Sequence, residues 1–173
     1  MSLAEKMTNL PTFLAYSVTL EEESAERHEE LADMMDVHHN PEVAETFRKL
    51  AGYSRLHAGE IREHSAGHDL PVIAPWEFEW DDMEGPETAD VAEANYLMNV
   101  AAALKIATGN ERRAHDFYHE ISEHSPDAGV RALAAEFAAE ELEHLELLKQ
   151  WQARIAGSAD EFTFDPDPPH TPE

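Results

Sequence analysis

A helical seam interrupted by charge most constrains what this chain can fold into. Val130, Ala134, Phe137, Leu148, Trp151 and Ile155 recur at alternating steps of four and three, the spacing of a helix that buries one face in a bundle. The two seam positions missing from that series hold Glu141 and His144. A carboxylate and an imidazole therefore point where leucines belong.

Three other helical patterns carry the same interruption. One stripe reads Leu97, Val100, Leu104, Ala107, Glu111, Ala114, Tyr118 and Ile121, with Glu111 at its middle. Another reads Val43, Phe47, Leu50, Ser54, His57 and Ile61, broken by Ser54 and His57. On the first pattern Val18, Glu22, Ala25, Glu29 and Ala32 share a face, which turns Glu22 inward. Glu29 lies two turns from Glu22, about 10.5 Å along the axis, too far to share an ion with it.

Punctuation separates the four patterns. The first runs from about Leu10 to Val37. The second opens at Asn40-Pro41-Glu42, a cap followed by proline, and continues to about Gly67. The third spans roughly Thr88–Glu123, and the fourth opens at Ser125-Pro126-Asp127 and stops before Gly157. Short turns make each successive pair an antiparallel hairpin. The fold class is all-α: two hairpins joined by a long crossover, Asp69–Glu87, in a four-helix bundle over residues 1–157. Trp76, Phe78 and Trp80 alternate with glutamates in that crossover and suit a strap that covers the bundle. Residues 158–173 are acidic and proline-rich, a composition that predicts an extended or disordered tail.

The formal net charge of −25 argues against binding to nucleic acid or an anionic membrane surface, both of which demand basic patches. With no cysteine, thiolate metal sites and iron–sulfur clusters are excluded, so any metal must use carboxylate and imidazole. No apolar run reaches the roughly 18 residues of a membrane span, and the N-terminal sequence has no apolar targeting core. A soluble, cytoplasmic protein is the expectation.

Energetics point the inward-facing groups toward metal. Each unpaired buried carboxylate costs several kcal/mol, so three would cost on the order of 10 kcal/mol, comparable with a domain's whole stability. Arg55, Arg112 and Arg113 fall beside the stripes rather than on them. Divalent cations would neutralise the carboxylates and organise the imidazoles. There is also an internal repeat: each hairpin gives a glutamate from its first helix and a histidine from its second. The alternative is a polar core network without metal, with His57 bonded to a carboxylate and Ser54 bonding back to its own helix. The nine other histidines, His28 among them, read as surface or near-end residues, and Tyr118 as a core tyrosine with a bonded hydroxyl.

These pieces together resemble the ferritin-like di-metal carboxylate proteins, most closely the rubrerythrin-related branch. The matching stretches are Glu22-x-x-Ala25, "FRKLAGYSRLHA" with His57, "ATGNERRAHDFYHEI" around Glu111, and "FAAEELEHLELL" with Glu141 and His144. The resemblance implies Glu22 and Glu111 as terminal ligands, Glu141 as a bridge and His57 and His144 as one imidazole each. It also implies two ions, iron first with zinc or manganese as alternatives, and reduction of dioxygen or peroxide, or oxidation of Fe(II). A homodimer and an external electron donor belong to the same expectation. The sequence departs from the family where Ser54 replaces the second bridging glutamate, with Glu60 one turn past His57 the nearest substitute, so a less tightly bound second ion or a single-metal site is expected. Ala114 stands where a further carboxylate is usual, and there is no rubredoxin-like cysteine module. A metal-binding or storage protein without turnover is the competing expectation.

Overall fold

The computed structural model describes residues 2–37, 39–74 and 100–159. A short α1 (Leu3–Lys6) precedes four long helices: α2 (Leu10–Val37), α3 (Pro41–His64), α4 (Val100–His124) and α5 (Ala128–Ala159). α2 packs along α3 and α4 along α5, giving the two hairpins of a ferritin-like four-helix bundle. The crossover from residue 75 onward, with its Trp76, Phe78 and Trp80, the start of the expected third helix and the tail from residue 160 lie outside the described residues.

Local chemistry explains the helix ends and corrects some expected ones. Asn9 Oδ1 accepts from the Thr12 amide at 3.0 Å and caps α2. At its other end His39 adopts a left-handed conformation (φ 57°), which lets the Asn40 amide reach the Met35 carbonyl at 2.8 Å. Asn40 precedes Pro41 as expected, but its side chain makes no capping bond. The fourth helix is capped by Asp127, whose Oδ1 accepts from the Val130 amide at 2.9 Å, and not by Ser125. Ser125 instead donates to the Met7 carbonyl at 2.6 Å and fastens the N-terminal turn to the bundle end. That turn, closed by a reciprocal Ser2–Glu5 capping box, was not expected from the stripes. Gly157 does not stop α5, which runs to Ala159, because a glycine inside a helix costs only about 1 kcal/mol.

The core divides into two apolar layers. One holds Met7, Phe13, Leu14, Ile61, Tyr118, Ile121, Val130 and Phe137. The other holds Leu31, Met35, Val43, Phe47, Leu50, Leu104 and Leu148. On every long helix the residues between these layers are polar and buried: Glu21 and Ser24, Ser54 and His57, Asn110 and Glu111, and Glu141. A polar slab thus crosses the bundle at mid-height, held dry by apolar packing above and below it.

Candidate metal centre

Each helix delivers its share of the slab from its buried stripe. On α2 that stripe is Leu14, Ser17, Glu21, Ser24, His28, Leu31 and Met35, all buried at alternating steps of three and four. Glu21 is therefore the inward carboxylate, 1% exposed. The expectation for Glu22 is corrected: its side chain is 45% exposed and pairs with Arg62 of α3. Glu21, Glu22 and Glu23 are consecutive, about 100° apart around the helix, so only one of them can face the core. Glu60 is exposed on α3 and does not join the centre.

Two groups of ligand atoms form. Glu21, His57 and Glu141 offer one set and Glu111, Glu141 and His144 the other, the atoms of each lying within 4.8 Å of one another. Glu141 belongs to both. His57 Nδ1 lies 2.7 Å from Glu21 Oε1 and 3.1 Å from Glu141 Oε1. His144 Nδ1 lies 3.4 Å from Glu111 Oε2 and 3.2 Å from Glu141 Oε2. His57, Glu111, Glu141 and His144 thus come together as the seams indicate, with Glu21 in place of Glu22.

The donors fit divalent cations. His57 Nδ1, Glu111 Oε2 and Glu141 Oε1 are buried and lack a well-directed hydrogen bond despite these short approaches. Such atoms are costly unless something else satisfies them. No arginine is among the partners of these ligands within the described residues; Arg55 pairs with Glu29 at 2.8 Å, on the surface. Carboxylate with imidazole is a donor set for iron, manganese or zinc.

Protons organise the same groups when no ion is present. Burial pushes the Glu111 carboxyl up to about 8, reinforced by its contact with Glu141 and opposed by His144. Burial likewise raises Glu21, against the lowering effect of His57. Glu141 stays well below the usual carboxylate range, because contacts with His144, His57 and Glu111 outweigh its own burial. Burial opposes a charge on His144, yet Glu111 and Glu141 lift it to about 10. His57 is raised well above the usual imidazole range, its burial outweighed by Glu140, Glu141 and Glu21.

Aromatic rings wall the centre. His57 meets Phe137 edge-on at 5.4 Å and Tyr118 at 6.3 Å. The Tyr118 hydroxyl donates to Glu21 Oε1 at 3.2 Å, so it is bonded as expected, and to a candidate ligand. His144 stacks on Tyr53 at 5.8 Å and is 20% exposed, against 2% for His57. Ser54 Oγ lies 3.0 Å from Ser24 Oγ of α2 rather than bonding back along its own helix. His28 is buried rather than superficial. It stacks on Phe47 at 6.0 Å with Nδ1 3.5 Å from Ser24 Oγ, and burial pushes its imidazole down to about 4. Glu140, which no seam singles out, brings Oε2 to 2.6 Å from His57 Nε2.

The rubrerythrin family model matches residues 12–152, the whole of this arrangement. The crystal structure of an uncharacterised conserved protein from Magnetospirillum magnetotacticum MS-1 is similar, at 37% sequence identity. The match covers 94% of this chain and 99% of that one, with a TM-score of 0.65. No curated protein gives a significant match.

Proposed function

Because the chain belongs to the rubrerythrin family, we propose that it holds two divalent ions, natively iron, and reduces dioxygen or peroxide or oxidises Fe(II). One observation carries this reading: two Glu/His sets, buried except at the edge of His144, share Glu141 between two apolar layers. Glu21, His57 and Glu141 would hold one ion, and Glu111, His144 and Glu141 the other. Redox-active ions there would supply the electrons for the reaction.

The chain's own part is placement and exclusion. Glu141 sets the spacing of the two positions because its two oxygens serve different sets. Phe137 and Tyr118 keep water from the His57 side, while the more exposed His144 marks the side from which a small oxidant arrives. Tyr118 orients Glu21 through its hydroxyl. An electron donor outside these residues completes the reading, since the sequence has no cysteine to hold a cluster. A cytoplasmic homodimer belongs to the same proposal. No helix among the described residues is long and apolar enough to cross a membrane.

Ser54 and Ala114, where the family resemblance implies carboxylates, favour a second reading: a metal-binding protein without turnover. Anaerobic loading with Fe(II) followed by dioxygen or peroxide separates the two. Oxidation of bound iron faster than that of free Fe(II), with ferric absorption retained by the protein, supports the oxidoreductase. Tight retention of zinc with no acceleration of Fe(II) oxidation supports the binder.

A further inference from the structure

His57 is bracketed by carboxylates on both ring nitrogens. Nδ1 faces Glu21 and Glu141, while Nε2 lies 2.6 Å from Glu140 Oε2. Glu140 and Glu141 are neighbours on α5, so one helix grips the ring of another from both ends. His57 Nε2 and Glu140 Oε2 are both buried and neither has a well-directed hydrogen bond, so each is the unsatisfied atom nearest the other, although the Glu140 side chain as a whole is 31% exposed. His144 differs: its carboxylate contacts among the described residues run through Nδ1.

An imidazole that gives the Nδ1 lone pair to an ion must keep its proton on Nε2, and a carboxylate there fixes both tautomer and ring orientation. Such a partner also makes Nδ1 a stronger donor. Charge leads to the same residue. Two divalent ions bring four positive charges; Glu21, Glu111 and Glu141 return three negative ones, and Ser54 adds none. Glu140 adds the fourth.

We propose that Glu140 is the positioning residue of this centre, accepting the Nε2 proton of His57 and completing the charge balance that α3 leaves open at Ser54. This rests on the di-metal reading above and assigns Glu140 no direct bond to an ion. It makes the two positions unequal, since only the one built on His57 depends on it.

Titration of the full-length protein with Co(II), followed by absorbance and by proton NMR, tests this. Wild type is expected to bind two Co(II) and to show an exchangeable, strongly shifted imidazole N–H signal from His57. Glu140→Gln keeps an acceptor but loses the charge, and should weaken one of the two binding steps about tenfold; Glu140→Ala should weaken that step about a hundredfold. The other step should hold, the N–H signal should exchange faster in Glu140→Ala, and exposed Glu143→Gln should change nothing. If Glu140→Ala does not fold, the Gln variant carries the same comparison. Unchanged affinities and an unchanged N–H signal in the variants would overturn the assignment while leaving the di-metal centre standing. Absence of that signal from wild type, with one whole ion lost in Glu140→Gln, would make Glu140 a ligand and overturn it as well. Wild type that takes up no Co(II) would retire the centre and this assignment together.

Discussion

Ser24 and Ser54 meet across the α2–α3 interface with hydroxyl oxygens 3.0 Å apart, each one turn from an inward-facing candidate ligand. This pair fills the slab where a second shared carboxylate would stand. Ser54→Glu places that carboxylate there without adding a cation. The ion-free variant should lose about 3 kcal/mol, the usual cost of an uncompensated buried charge. Excess Mn(II) or Zn(II) should recover most of it. Urea denaturation with and without metal checks this, and the variant should gain more from metal than wild type does.

Glu21 and Glu22 differ in role although they are adjacent. Glu21→Gln should remove tight binding at one metal position, whereas Glu22→Gln should leave metal content unchanged and cost under about 1 kcal/mol of stability, the scale of an exposed ion pair. Metal analysis after equilibrium dialysis compares them directly.

Glu141→Gln and Glu111→Gln should separate by stoichiometry. Glu141 contributes to both sets and Glu111 to one. Glu111→Gln should retain about one ion per chain, and Glu141→Gln none at the concentration that saturates wild type, because the shared oxygens serve both positions.

Metal uptake should expel protons. At pH 7 Glu111 and His144 hold protons in the ion-free protein, since their values lie near 8 and 10, and His57 is raised as well. Ions displace these protons, so apparent affinity should rise with pH and fall toward acid. Calorimetry in two buffers of different ionisation heat should show release of at least two protons per chain; a heat independent of buffer would contradict the assignment.

His28 gives the fold its own acid sensitivity. Burial lowers its pKa from 6.5 to about 4, so the folded chain favours the neutral ring. A depressed folded value means that the contribution is fully present above about pH 6.5 and is lost as pH falls toward 4. By pH 5 the loss should be about 2 kcal/mol. His28→Leu should flatten the stability curve by that amount between pH 7.5 and 5 in urea denaturation, with the other titrating groups cancelling between the two proteins.

The bundle was legible in the sequence because α3, α4 and α5 carry apolar stripes with few exceptions, and Pro41 and Pro126 mark where α3 and α5 begin. His57, Glu111, Glu141 and His144 were legible for the same reason: a charged residue stands out on a stripe of leucine, valine and phenylalanine. α2 was not. Its buried stripe contains Ser17, Glu21, Ser24 and His28, so the most polar line on the helix is the one that faces inward. The neighbouring line of Val18, Ala25 and Ala32 is the more apolar one, and it carries Glu22. Extending the stripe outward to Leu14, Leu31 and Met35 would have identified Glu21. For Glu140 no periodic signal exists, because its part depends on where a histidine of another helix turns its far nitrogen. The same applies to Ser54, whose hydroxyl partner lies 30 residues away.

The unequal exposure of the two imidazoles carries over into time. His57 sits sealed among Phe137 and Tyr118, while His144 stays in partial contact with solvent. Ions held at the two positions should therefore leave on different clocks even where their affinities match. A chelator should empty the His144 side quickly and the His57 side only as the helices breathe, so a half-loaded protein can persist as a species with its own lifetime.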